Sequence, residues 1–118
     1  MGLCRIRIAA VHCFALILSV PAQAQDSAFF ESRIRPVLVK SCYGCHSSKL
    51  QSPMGGLALD TKAGLRSGGA TGAVVVPGDP NKSRLYTALL YTDPQLHMPP
   101  SGKLPSAVIA DFRRWIAA

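Results

Sequence analysis

Cys42-Tyr43-Gly44-Cys45-His46 is a Cys-x-x-Cys-His pattern, and that spacing is the attachment sequence of a c-type haem. Each of the two thiols can form a thioether with one vinyl group of the macrocycle, and the histidine that follows directly is placed to ligate the iron. Five residues thus supply the tether and one axial ligand.

The start of the chain predicts where such a group would be loaded. Arg5 and Arg7 precede an apolar run from Ile8 to Val20, and Ala22-Gln23-Ala24 is a small-x-small cleavage pattern before Gln25. Residues 1–24 therefore read as a secretory signal peptide, and the apolar run falls short of the roughly 20 residues needed to span a bilayer. Lipidation at Cys13 is not expected, since His12 stands where a lipoprotein signal needs a small residue. The expectation is an exported, periplasmic protein, soluble once the leader is removed, with residues 25–118 forming one small domain.

Two of the 4 cysteines, Cys4 and Cys13, lie within that leader, so Cys42 and Cys45 alone remain. No disulfide framework is available to stabilise a loop-rich domain of this size, and a buried cofactor would complete its core. The chain has 13 Lys and Arg against 6 Asp and Glu, and a net charge of +7. Only Arg5 and Arg7 fall in the leader, so the domain stays basic. The simple reading is a solvated surface; the functional one is a rim that steers an acidic redox partner. Nucleic acid is not an expected partner, because the basic residues are scattered and the protein is exported.

Periodicity predicts helices separated by loops rich in Gly and Pro. Phe30, Ile34, Val37 and Leu38 give helical spacing over Ser27 to Lys40, with Pro36 kinking or restarting the helix. Ser47 to Leu59 reads as an irregular loop, and Asp60 to Ser67 as a short helix capped by Asp60 and closed by Gly68-Gly69. Val74 to Val76 looks extended but has no partner for a sheet. Asp79-Pro80-Asn81 opens a helix to about Tyr91, with Leu85, Leu89 and Leu90 on its apolar face. A last helix covers Ser106 to Ala117, with Ile109, Phe112, Trp115 and Ile116 inward.

The iron's second axial position decides its chemistry. Met98, in Leu96-His97-Met98-Pro99-Pro100, is the leading candidate, because two prolines restrict the loop and a neutral thioether favours ferrous iron. His97 is the alternative, since imidazole also ligates haem; neighbours on an extended loop point apart, so only one can face the metal. Met54 lies in a Gly-rich loop soon after His46. Arg33, Arg35, Arg113 and Arg114 read as solvated, though one could pair with a haem carboxylate.

With these residues in view, the stretch from Phe30 to Ile116 resembles the cytochrome c domain first described in planctomycete proteins, a branch of the class I cytochrome c fold. The resembling residues are Ile34-Arg35-Pro36-Val37-Leu38, the Cys42 to His46 motif, Gly56-Leu57-Ala58-Leu59-Asp60, Val76-Pro77-Gly78-Asp79-Pro80, Ser83, Leu85, Met98-Pro99-Pro100, Lys103-Leu104 and Trp115-Ile116. The resemblance implies an all-α fold in which the first and last helices cross beside one covalently bound haem c. It also implies thioethers at Cys42 and Cys45, with His46 and Met98 as axial ligands. Two features depart from the pattern: Pro105 and Val108 weaken the usual cap of the final helix. Such domains often open longer proteins, whereas this sequence stops at Ala118, which fits a free-standing carrier or a shortened reading frame.

The first functional expectation is one-electron transfer between redox partner proteins, with no catalytic acid or base of the chain's own. The second is a haem-based sensor, or a subunit of a redox enzyme, in which the distal ligand is displaced. The third is a protein without haem, in which Cys42, Cys45 and His46 bind zinc or the cysteines form a redox disulfide. That last reading has three clustered ligands where a structural zinc site wants four.

Overall fold

A computed structural model describes residues 22–118. The signal peptide expected at 1–24 lies outside them, apart from the last three residues, which begin the first helix. Five α-helices form: α1 (Ala22–Phe29), α2 (Arg35–Ser41), α3 (Lys62–Ser67), α4 (Arg84–Leu90) and α5 (Ser106–Ala117). No strand occurs among the described residues, so the expected all-α class holds; an isolated bridge between Gly69 and Gly72 is the nearest approach to one.

The junction between α1 and α2 follows from Pro36. Proline has no N–H to offer the Ser32 carbonyl, and its ring collides with a carbonyl four residues back in a regular helix. The chain widens to a π-turn over Phe30–Ile34, where the Arg35 N–H bonds the Phe30 carbonyl, and α2 begins with Pro36 in its first turn. The turn is braced at the surface by Glu31, which accepts from Arg35 at 2.7 Å.

Helix α3 shows one correction to the sequence reading. Its cap is Thr61, whose hydroxyl accepts from Gly64 N at 2.9 Å, and not Asp60, whose carboxylate is committed elsewhere. Gly68 ends it at φ 73°, as expected of a closing glycine. The next helix also differs. Pro80–Lys82 make a single 3-10 turn capped by Asp79, and α4 starts afresh after Ser83. Ser83 is fully buried; its hydroxyl accepts from Val76 N at 2.9 Å and donates to Asp79 O at 2.8 Å. It joins the extended Val74–Val76 segment to the helix start, and Leu85 N adds a bond to Val74 O.

The final helix has the predicted bounds. Pro105 gives it no side-chain cap, yet Ile109, Phe112 and Ile116 fall on one face and are buried. They pack with Ile34 of the π-turn, Leu38 of α2 and Leu85 and Leu89 of α4, so the core joins α5 to these three segments. Trp115 is half-buried, its ring 5.2 Å from that of Phe30, and Arg33 pairs with Asp111 at 2.9 Å across the same contact. Among the described residues no helix is long and apolar enough to cross a membrane.

Candidate functional site

The motif is wound directly onto the end of α2. Cys42 N and Tyr43 N both reach the Leu38 carbonyl at 2.9 Å, and His46 N bonds the Cys42 carbonyl at 2.9 Å. These turns bring Cys42, Cys45 and His46 to the lining of one cavity. Both cysteines are free thiols. Burial, with a smaller contribution from Cys45, pushes the Cys42 thiol up to about 11. Thiols of disulfide oxidoreductases have the opposite tendency, so the redox-disulfide reading gains nothing here. The Tyr43 hydroxyl is buried without a partner.

The imidazole of His46 is oriented by its backbone surroundings. Its Nδ1 lies 2.9 Å from the Met54 carbonyl oxygen, which can only accept, so Nδ1 carries a proton and, in the neutral ring, Nε2 is the nitrogen with the lone pair. The segment after His46 is tied down twice. Leu59 N bonds the His46 carbonyl at 3.0 Å, and the Asp60 carboxylate accepts from Ser47 Oγ at 2.7 Å, Ser48 N at 2.8 Å and Ser48 Oγ at 2.9 Å.

Met98 reaches the same cavity from the loop after α4. Its N–H bonds the Ala88 carbonyl at 3.2 Å, and the Tyr91 hydroxyl donates to the Pro99 carbonyl. His97 does not line the cavity. It is exposed, and its ring stacks on Tyr91 with centroids 4.6 Å apart. The cavity measures about 310 Å³, and its walls are largely apolar, with Leu57, Leu59, Val74, Leu85, Leu89 and Leu96 among them. Two free thiols, an imidazole with an available nitrogen and a soft thioether around an apolar space are the donor set of a covalently held iron tetrapyrrole. The residues present therefore fit that group. Among the described residues no group of three His, Cys, Asp or Glu side chains is drawn together as a metal site.

Of the four arginines considered from sequence, Arg33 and Arg35 are held by Asp111 and Glu31, Arg114 lies 4.2 Å over the Phe29 ring, and none lines the cavity. The arginine that does is Arg84. The sequence hid it because the helix that contains it was expected to run unbroken from Asp79, which left no reason to single out the residue after Ser83.

Compared with known protein families, residues 42–102 match the one described as Planctomycete cytochrome C. The chain belongs to that family. As a c-type cytochrome of the planctomycete kind, it is a haem c protein, and the matched residues take in the attachment motif, α3, α4 and the Met98-Pro99-Pro100 loop. Neither the curated proteins nor the solved structures contain a match to this cytochrome.

Proposed function

We propose that this cytochrome carries one haem c, joined to Cys42 and Cys45 and ligated by His46 and Met98, and passes single electrons between partner proteins in the periplasm. One motif implies one haem. When bound, that group supplies exchange of one electron between ferric and ferrous iron. Every other part of the function belongs to the chain.

The observation that carries this reading is the shared cavity, into which both thiols, the His46 ring and Met98 come while His97 is stacked away on Tyr91. The Met54 carbonyl holds the His46 tautomer that leaves Nε2 as the donor. Met98 contributes a neutral, soft sulfur, which favours the ferrous state more than a second imidazole would. Apolar walls exclude water and lower the local dielectric, which disfavours the extra charge of the ferric state. The contact of the π-turn with α5, through Phe30 and Trp115, supports a class I cytochrome c-like arrangement of the first and last helices. Residues 1–24 would direct export, and the net basic charge would suit an acidic redox partner.

Substitution of the distal ligand tests the assignment. Met98→Ala is expected to abolish the methionine-to-iron charge-transfer absorption and leave high-spin iron that binds carbon monoxide readily. His97→Ala is expected to leave the spectrum unchanged. The reverse pattern would assign the position to His97.

A further inference from the structure

Among the described residues that line the cavity, Arg84 is the only Arg, Lys, Asp or Glu. Among the described residues its guanidinium makes no ion pair and no hydrogen bond. The neighbouring acid is already engaged, since Asp79 holds Lys82 at 3.2 Å. Local structure does not explain the position either. Arg84 opens α4, and the partial positive charge at a helix start opposes a cation there. Arg84 is exposed, and it nonetheless stands at the edge of a largely apolar cavity.

We propose that Arg84 is a cofactor-binding residue that pairs with a carboxylate of the tetrapyrrole, an inference that rests on the haem reading above. Haem carries two carboxylates on the edge away from the carbons that bond cysteine. A carboxylate drawn toward apolar walls without a partner is costly, and a guanidinium can meet it with two parallel N–H donors. Of the remaining polar side chains in the lining, Ser41 and Thr71 are neutral hydroxyls that can add a hydrogen bond but no charge. Arg84 therefore neutralises negative charge close to the iron. Loss of that compensation favours the ferric state.

The test compares midpoint potentials of the loaded wild-type protein and the Arg84→Gln, Arg84→Lys and Arg113→Gln variants, with haem content and axial-ligand spectra recorded for each. Arg113 is exposed on α5 and does not line the cavity, so it controls for surface charge in general. Arg84→Gln is expected to lower the ferrous-to-ferric ratio at fixed ambient potential about threefold, a fall of ~28 mV at 59 mV per tenfold for one electron. Arg84→Lys recovers part of that change, because it restores the charge without the fork. Arg113→Gln leaves the potential in place. An unchanged potential in Arg84→Gln, or an equal fall in Arg113→Gln, overturns the pairing while leaving the haem reading intact. Wild-type protein without covalent haem overturns both.

Discussion

Three donors converge on the Asp60 carboxylate from a segment twelve and thirteen residues earlier in the chain, and they explain why it does not cap the helix that follows it. The Ser48 N–H, helped by the Ser47 hydroxyl, holds its pKa at about 2, below the ordinary 3.8. A depressed carboxylate contributes stability that is present above the unfolded-state value and lost as pH falls through the folded one. Asp60→Asn is thus expected to lower the thermal midpoint at neutral pH and to flatten its decline between about pH 4 and pH 2. Glu31 and Asp79, lowered by Arg35 and Lys82, sustain the slope that is left. Melting curves across that range check this, and a variant as steep as wild type contradicts it. The sequence showed an acid before a helix, and a cap was the local reading. Nothing local revealed that Ser47 and Ser48 would claim the carboxylate, leaving the cap to Thr61.

Elements were legible where one face of the chain is repeated at helical spacing, and less so where a buried polar group intervenes. Helix α5 keeps its predicted bounds because Ile109, Phe112 and Ile116 recur at turn spacing, and burial of that face outweighs the poor cap at Pro105. Helix α4 was expected to begin at Asp79-Pro80-Asn81, and it is interrupted because the Ser83 hydroxyl serves Val76 and Asp79. Ser83→Ala leaves the Val76 N–H without its acceptor in a closed site and is expected to cost about 1–3 kcal/mol in urea unfolding with an unchanged m-value. A cost near zero would show the bond to be dispensable. Gly64, inside α3, poses two opposed effects. Helix propensity favours alanine by about 1 kcal/mol. A Cβ there would overlap the Ala58 carbonyl and lie 3.0 Å from Thr61 Oγ1, and backbone cannot yield as a flexible side chain does. Overpacking of this kind costs about 1–3 kcal/mol, so Gly64→Ala is expected to lower the melting temperature. A rise would mean that propensity prevails.

For the molecule as a whole, the motif and the apolar faces showed the class of fold and the thiols and imidazole of the site. Met98 was legible as well, from the two prolines that follow it, and it lines the cavity; Arg84 was not, because its place there depends on a helix start that comes after the buried Ser83. The core links α1, α2 and α5 to α4 around an apolar space, with no disulfide among the described residues to support it. A domain so built depends on what fills that space. The central claim is that a haem is joined to Cys42 and Cys45, and intact-mass spectrometry under denaturing conditions, on protein from a host competent in cytochrome maturation, tests it most directly. The account predicts a polypeptide heavier by one haem, with the added mass absent when both cysteines are replaced by alanine; a colourless product at the bare polypeptide mass would contradict it.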